Sequence, residues 1–175
     1  MTGFRDHFAP QARQYAAYRP RYPEAFIARV ASLAPGRALA WDVGTGSGQA
    51  AVPLAAHFAR VHATDASERQ VAHAEPHARV TYAVAPAERS GLDAGSVDLV
   101  TVAQALHWFA GAAFTEEVRR VLRPGGALVA WSYDLLSIDA VVDPVVRWFY
   151  QERLGRWWPP ERRHVETRYA ELDFP

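Results

Sequence analysis

The sequence predicts an α/β fold in which a mostly parallel, doubly wound sheet carries helices on both faces. The first observation is that five short apolar runs are separated by stretches of about ten residues with helical periodicity. The second is that a glycine-rich turn, "VGTGSG", follows the first apolar run directly. Crossovers of this kind make neighbouring strands parallel, and ligands of such sheets bind beyond the carboxyl ends of the strands.

Strands and helices are predicted in regular alternation along the first 134 residues. A helix is expected to begin near Pro23, because proline suits the first helical position. Ser67 and Gln70 have the spacing of a capping box at the start of a later helix. The predicted strands cover residues 38–43, 60–65, 79–84, 96–103 and 127–133, and the helices cover 48–58, 67–75 and 112–122, with a "RPGG" turn at 123–126.

The tail after residue 134 shows helical patterns and no strand pattern. Asp143 and Pro144 are predicted to open a helix as its N-cap and first residue, with Val145 and Phe149 on its apolar side. A second helical pattern occupies residues 161–172. We therefore predict a leader at 1–22, a ligand-binding core at 23–134 and a helical segment at 135–175 that caps a substrate site or forms a dimer contact.

Composition indicates a globular protein and excludes several kinds of chemistry. Half of the 175 residues are hydrophobic, and 19 basic residues balance 19 acidic ones, so charge predicts neither a nucleic-acid partner nor a membrane partner. All 19 basic residues are arginine and cysteine is absent, which excludes lysine Schiff bases, Walker-type phosphate loops and cysteine metal sites. No signal core and no run of ~20 apolar residues is present, so a cytoplasmic protein is expected.

Three glycines, Gly44, Gly46 and Gly48, alternate at the carboxyl end of the first predicted strand. Glycine has no Cβ and reaches positive φ without penalty, so a ligand can rest against the backbone amides of this turn. Asp65 ends the second strand, where a carboxylate can accept hydrogen bonds from both hydroxyls of a ribose. Together these features favour a ligand that contains adenosine. Two simpler interpretations are a plain strand–helix turn and an Asp65 that only caps the next helix.

The glycine spacing argues against a dinucleotide. The dinucleotide fingerprint is GxGxxG, whereas here Gln49 follows the third glycine and the spacing is GxGxG. Asp42 stands two residues before the loop, and an acid there suits a ligand with a positive centre better than a pyrophosphate. S-adenosylmethionine carries both a sulfonium and an ammonium group.

Four segments in order resemble the motifs of the class I S-adenosylmethionine-dependent methyltransferases, which have a Rossmann-like fold. They are "LAWDVGTGSGQAAVPLA", "VHATDAS", "VTYAVAPAERSGLDAGSVDLVTVAQALHWF" and "EEVRRVLRPGGALVAW". The resemblance covers roughly residues 24–133. The leader "YAAYRPRYP" and the tail are similar to a subgroup of small-molecule enzymes that includes trans-aconitate methyltransferase-like proteins.

The resemblance implies a role for each residue at a motif position. The glycines would line the methionine moiety, with its ammonium group oriented by Asp42, and Asp65 would hold the ribose. Gln104, at the end of the fourth strand, would face the methionine part and the transferring methyl group. The adenine would be bordered by Ala66, by Ala87 and by Glu88.

The sequence departs from the family pattern at two places. Pro86 stands where many relatives place a residue that accepts from the adenine amino group, so Ala87 or Glu88 would have to replace that contact. The sixth and seventh strands of the fold have no counterpart in the sequence. Either the chain is a truncated form or a partner completes the sheet, and we expect a homodimer or a loss of stability because an uncovered strand edge favours association.

The acceptor side of the site is less defined by sequence. His107 in "QALHWF" is the best candidate for a general base, with packing beside Trp108 as the alternative. Tyr15, Tyr18 and Arg19 would form a lid that offers an arginine to a substrate carboxylate, or a helix packed on the sheet edge. No two histidines have convincing metal-ligand spacing, so no metal is expected.

The favoured function is methyl transfer from S-adenosylmethionine to a small molecule, with a carboxylate or a hydroxyl as the favoured acceptor. A homologue that binds the cofactor without turnover is one alternative, and a nicotinamide-dependent oxidoreductase is a more remote one. A nucleic-acid methyltransferase is disfavoured, because no basic domain and no "NPPY"-like motif is present.

Overall fold

The computed structural model describes residues 21–172, and a five-stranded parallel sheet forms its centre. The strand order is β3-β2-β1-β4-β5, and all four neighbouring pairs are parallel. The chain therefore moves outward from β1 to β3 and then crosses to the other side of β1. That reversal opens a crevice beyond the carboxyl ends of β1 and β4, where doubly wound sheets bind ligands.

Every predicted strand of the core is present, with ends that differ by a few residues. The strands are β1 (Leu39–Val43), β2 (Arg60–Asp65), β3 (Val80–Val84), β4 (Val97–Ala103) and β5 (Leu122–Trp131). The helices are α1 (Glu24–Ala31), α2 (Ala51–Leu54), α3 (Glu68–Ala72), α4 (Ala112–Val121), α5 (Val142–Trp148) and α6 (Arg162–Glu166). Short helical turns of other types span Leu106–Trp108, Phe149–Arg153 and Gly155–Trp157.

Two apolar clusters cover the two faces of the sheet. Side chains alternate along a strand, so β1 sends Ala40 to one face and Trp41 to the other. Ala40 packs with α1 residues such as Ile27. Trp41 packs with α4 residues, among them Phe114, at a ring distance of 6.4 Å. The arrangement confirms the predicted fold class, in which helices lie on both faces.

Helix α2 is much shorter than the prediction of residues 48–58. The chain leaves the glycine loop through turns and is helical only over Ala51–Leu54. Pro53 explains part of the difference, because a proline is tolerated only in the first turn of a helix. Helix α3 begins as predicted: the Ser67 hydroxyl accepts a hydrogen bond from the Gln70 amide at 3.3 Å.

Strand β5 begins earlier than predicted, and the "RPGG" segment bulges within it. Val97 pairs with Leu122 and Leu99 pairs with Ala127, so extra residues of β5 loop out between the two pairs. Gly125 in this bulge has φ +77°. Arg123 beside it places Nη1 2.9 Å from Oδ1 of the fully buried Asp98. Asp98 also accepts the amides of Ala38 and Leu39, and these contacts join β4 and β5 to the start of β1.

The tail differs from the sequence prediction in two respects. Helix α5 starts at Val142, so Asp143 lies inside it, and its carboxylate accepts the backbone amides of Ile138 and Asp139 instead of capping the helix. The expected apolar side is largely exposed: Val145 shows 63% of its surface and Phe149 shows 52%. Homodimer formation through this segment stays a prediction.

Glu117 on α4 fixes the loop that follows β3. Its carboxylate is almost buried and accepts the amide and the hydroxyl of Ser90 at 2.8 and 2.6 Å. Arg120, one turn later on the same helix, donates to both oxygens of the carboxylate. These hydrogen bonds lower the pKa of Glu117 from 4.5 to about 2, and the bonds from Arg120 have the largest effect.

We expect Glu117→Gln to remove an acid-sensitive part of the stability. Because the folded-state pKa lies below the ordinary value, the carboxylate stabilises the fold above about pH 4.5 and loses this effect as pH falls toward 2. The contribution is about 1–2 kcal/mol, since Arg120 is partly exposed to solvent. Urea unfolding at pH 7 and pH 3 measures it. The exposed neighbour Glu116→Gln is the control, and equal behaviour of the two variants would contradict this assignment.

Among residues 21–172, no helix combines the length and the apolar character that a membrane-crossing segment requires.

Candidate active site

The glycine loop at residues 44–48 leaves β1 at the centre of the sheet. Gly44, Gly46 and Gly48 all have positive φ, of +64°, +57° and +96°. A Cβ at Gly44 would lie 2.6 Å from Cβ of Ala105, and one at Gly48 would collide with the Tyr82 hydroxyl. Packing within the chain therefore requires glycine at positions 44 and 48. A Cβ at Gly46 would meet nothing closer than Oε1 of Gln49 at 3.6 Å, so packing alone does not require this glycine.

Asp65 connects the glycine loop to the end of β2. One carboxylate oxygen accepts the amide of Gly46 at 2.8 Å, and the other accepts the amide of Ser67 at 2.9 Å. The amide of Thr45 donates to the carbonyl of Thr64 at 3.0 Å, which ties the same two segments. A carboxylate has about four acceptor positions. The two amides occupy one position on each oxygen.

Asp42 lies under the loop with only 1% of its surface exposed. Its two oxygens accept the hydroxyls of Thr45 and Thr101 at 2.6 and 2.7 Å. Burial raises the pKa of Asp42 from 3.8 to about 6 despite these two hydrogen bonds, and the neighbouring Asp65 raises it further. A buried carboxylate without a positive partner is costly, so this position is suited to a ligand cation.

Tyr82 on β3 was not identified from the sequence as part of the site. Its hydroxyl donates to the carbonyl of Glu75 at 2.8 Å, and the amide of Glu75 donates to the carbonyl of Ser47 at 3.0 Å. Burial, followed by the charges of Asp42 and Glu75, raises the pKa of Tyr82 to about 12, so the phenol stays protonated. Tyr82 on β3 is thus linked to the glycine loop through Glu75, which bonds to Ser47. The sequence contains no signal for this contact, because it depends on the order of the strands.

Gln104 follows β4 and has φ +59°, a left-handed conformation that is uncommon for a residue with a Cβ. Its backbone amide donates to the carbonyl of Trp131 at 2.9 Å, and this bond holds the turn in place. Its side-chain Nε2 is buried and has no hydrogen-bond partner among the described residues. Strained residues with an unsatisfied polar group concentrate at functional sites.

The residues predicted around the adenine lie on neighbouring loops but differ in exposure. Ala66 is exposed next to Asp65, and Glu88 is exposed in the loop after β3. Ala87 is 7% exposed and packs into the core cluster on the α4 face. The amide of Ala85 donates to the carbonyl of Asp65 at 3.0 Å, so this loop lies against the end of β2.

His107 lies in the helical turn after β4, half-buried against Trp108 with ring centroids 4.7 Å apart. Its Nδ1 is 3.3 Å from the hydroxyl of Tyr169, a residue of the tail. Burial lowers the pKa of His107 to about 4, and the nearby charge of Arg162 lowers it further. The imidazole is therefore neutral and weakly basic at pH 7. The three predicted lid residues, Tyr15, Tyr18 and Arg19, lie outside the described part of the chain.

We expect Gly48→Ala to lower stability by about 1–3 kcal/mol, because φ +96° disfavours a Cβ and the new methyl group would meet Tyr82. The double variant Gly48→Ala/Tyr82→Phe removes the colliding hydroxyl and should recover part of that loss. Thermal unfolding of the two single variants and the double variant measures the coupling. Strictly additive losses would contradict the assigned contact.

Comparisons with known proteins agree with this geometry. The sequence profile of a family described as "Methyltransferase domain" matches residues 41–130, which include the glycine loop, Asp65 and Gln104. A protein of Dictyostelium discoideum named "Putative methyltransferase" is 39% identical over 98% of this chain. An "Uncharacterized methyltransferase" of Mycobacterium tuberculosis is 36% identical over 71% of this chain. This chain spans 66% and 51% of the lengths of those two relatives.

Solved structures extend the likeness to three dimensions. A structure described as a "Putative Type II Methyltransferase" from Anaeromyxobacter dehalogenans is 51% identical, with a TM-score of 0.81 over 90% of this chain and 67% of that chain. A structure described as a SAM dependent methyltransferase from Aquifex aeolicus is 20% identical and covers 88% of both chains with a TM-score of 0.63. The second likeness is one of fold alone.

Proposed function

Because this chain belongs to the class I S-adenosylmethionine-dependent methyltransferases, we propose that it binds S-adenosylmethionine beyond β1, β2 and β4 and methylates a small-molecule acceptor. A carboxylate or a hydroxyl is the favoured acceptor. The observation that carries the proposal is the connection of the glycine loop to Asp65 through the 2.8 Å hydrogen bond from the Gly46 amide. This bond joins the glycine turn to a carboxylate that would accept the ribose hydroxyls. The finer likeness to trans-aconitate methyltransferase-like proteins stays a prediction.

The chemistry of the described residues fits this cofactor. Asp65 ends β2 with its carboxylate against the amides of Gly46 and Ser67, where ribose hydroxyls would donate to it, and a Cβ at Gly46 would meet nothing closer than 3.6 Å. The buried carboxylate of Asp42 suits the ammonium group of the methionine part, directly or through water. The unpartnered Nε2 of Gln104 is a donor that suits the carboxylate of the same part. The ribose hydroxyls, the ammonium group and the carboxylate of the cofactor thus each have a group on the chain that suits them.

When bound, the cofactor supplies an activated methyl group, so the chain has to orient the acceptor and keep water out. The strained turn at Gln104 and the half-buried pair of His107 and Trp108 border the place where the acceptor must approach. An acceptor carboxylate is ionised at neutral pH and needs no base. An acceptor hydroxyl would need His107 to take its proton, and a pKa of about 4 makes that transfer unfavourable.

Methyl transfer is tested by supplying methyl-tritiated S-adenosylmethionine with panels of carboxylic acids, phenols and amines. Label that alkali releases as methanol identifies an ester, and alkali-stable label identifies an ether or an amine product. We expect transfer by the wild-type chain and none by Asp65→Ala. A chain that binds S-adenosylhomocysteine but transfers no label to any acceptor would instead be a binding homologue without turnover.

A further inference from the structure

The guanidinium group of Arg162, the first residue of α6, uses only part of its hydrogen-bonding capacity. Its guanidinium packs on the rings of Tyr150 and Trp158, 5.1 and 4.9 Å from their centroids. Its Nε donates to the Tyr150 hydroxyl, and its Nη2 lies 3.6 Å from Asp134. Its Nη1 donates to none of the described residues. A planar fork that is fixed on one side and open on the other is suited to bind a carboxylate.

An open cavity of about 420 Å³ adjoins this arginine. Tyr150, Trp158, Pro159 and Arg162 line part of it. Arg163 and Glu166 also line it, so the cavity combines aromatic and proline surface with two cations and one carboxylate, and its volume is in the range of small-molecule sites. The cavity thus offers apolar surface for the body of a small acid and a cation for its head group.

Arg162 also acts on the acceptor side of the active site. After burial, its charge is the strongest influence that lowers the pKa of His107, and it also opposes the effect of burial on Tyr169. The Tyr169 hydroxyl lies 3.3 Å from Nδ1 of His107, and helix α6 contacts the helical turn that carries His107. Groups from β4, β5 and the tail therefore meet close to Arg162, at the carboxyl ends of the strands.

The tail reaches this place through a strained turn. Arg168 and Tyr169 have φ +53° and +57°, two consecutive residues with side chains in the left-handed region. Such a conformation is strained and persists where the surrounding structure fixes it. The turn returns the Tyr169 ring to the core cluster on the α4 face, with its hydroxyl beside His107.

We propose that Arg162 and Tyr169 form an anion subsite for the methyl acceptor, so that the acceptor is a carboxylic acid. The subsite rests on the methyltransferase function proposed above and specifies its substrate class. Arg162 binds the carboxylate through Nη1, and the acid competes with Asp134 for the guanidinium. With its proton on Nδ1, His107 donates to the Tyr169 hydroxyl, which leaves the phenol proton for the same acid. A carboxylate oxygen takes the methyl group while the electron pair of the carbon–sulfur bond stays with sulfur, so no proton is released.

The test measures acid binding to the chain saturated with S-adenosylhomocysteine. Benzoate, cinnamate and succinate are compared with their uncharged amides by ligand-observed NMR. We expect the acids to bind and the amides to bind at least tenfold more weakly. Arg162→Gln should lower acid affinity at least tenfold and Tyr169→Phe about threefold. Asp134→Asn should raise acid affinity, because it removes the internal competitor, and a purely structural arginine would show no such gain.

Matched controls separate this proposal from general damage. Arg156→Gln changes an exposed arginine of the tail that does not line the cavity, and Tyr133→Phe changes an exposed tyrosine; neither should alter acid binding. Equal binding of acids and amides, absence of acid binding, or an unchanged affinity in both Arg162→Gln and Asp134→Asn would overturn the subsite. Calorimetric titration of each variant with S-adenosylhomocysteine keeps the two proposals distinguishable: normal cofactor binding beside failed acid binding refutes only the anion subsite.

Discussion

Replacing Asp65 with alanine is expected to weaken the binding of S-adenosylhomocysteine roughly a hundredfold or more. Its carboxylate is the group that we propose binds the ribose, and hydrogen bonds to a charged group contribute about 1.5–3 kcal/mol each. Loss of two ribose contacts therefore costs at least about 3 kcal/mol of binding free energy. Isothermal titration calorimetry measures the effect.

The controls for Asp65→Ala separate ligand contact from loop stability. The alanine also removes an acceptor from two loop amides, so thermal unfolding should show a loss of about 1–2 kcal/mol. Asp65→Asn keeps one acceptor oxygen and should bind with intermediate affinity. Asp93→Asn changes an exposed aspartate and should bind like the wild-type chain. An Asp65→Ala variant that binds S-adenosylhomocysteine with unchanged affinity would exclude the assigned ribose contact.

Asp42→Asn is expected to stabilise the free chain while weakening its affinity for the cofactor. The pKa of Asp42 is raised from 3.8 to about 6, so the folded state holds the proton more tightly than the unfolded state does. The stability of the wild-type chain therefore falls as pH rises from about 4 to about 6, by at most about 3 kcal/mol. Asparagine removes this penalty and keeps a similar shape between Thr45 and Thr101.

Two measurements check the opposite effects of Asp42→Asn. Urea unfolding at pH 7.5 should show a gain of about 1–3 kcal/mol that disappears near pH 4. Calorimetry should show at least tenfold weaker binding of S-adenosylhomocysteine, because the neutral amide no longer attracts the ammonium group. Asp93→Asn serves again as the exposed control. If Asp42→Asn is less stable than the wild-type chain at pH 7.5, the protein itself stabilises the negative charge of Asp42, and no ligand cation is needed.

The strands of the core were predictable because apolar periodicity and burial agree there. Strand β2 spans Arg60–Asp65 as predicted, and its neighbours shift by only a few residues. The Ser67 cap was also predictable, because its partner Gln70 is only three residues further along the chain. Helix α2 was predicted too long, because the apolar spacing after the glycines continues through turns that are not helical.

Parts of the site that depend on strand order were not accessible from sequence. Thr101 reaches Asp42 because the two residues are register partners on β4 and β1. Tyr82 reaches the glycine loop because β3 lies beside β2. The anion subsite at Arg162 was missed for a related reason: the helical pattern of the tail does not indicate that Tyr169 turns back onto His107.

The exposed apolar residues of α5 and of the helical turn that follows it show a second limit of prediction from sequence patterns. Apolar spacing at Val145 and Phe149 predicted a buried face, yet both side chains are more than half exposed in the described chain. Periodicity indicates that a face is suited to burial, but it does not identify what covers that face. The predicted division of the chain into a leader, a core and a helical tail, at residues 22 and 134, stays a prediction.

The measurement that tests the account most directly is a calorimetric titration of the chain with S-adenosylhomocysteine and, separately, with NAD at pH 7.5. The account predicts that one molecule of S-adenosylhomocysteine binds per chain, that NAD does not compete, and that affinity falls as pH drops below about 6 with the protonation of Asp42. Binding of NAD at the same site would contradict the account. So would a chain that unfolds cooperatively on heating yet binds neither ligand.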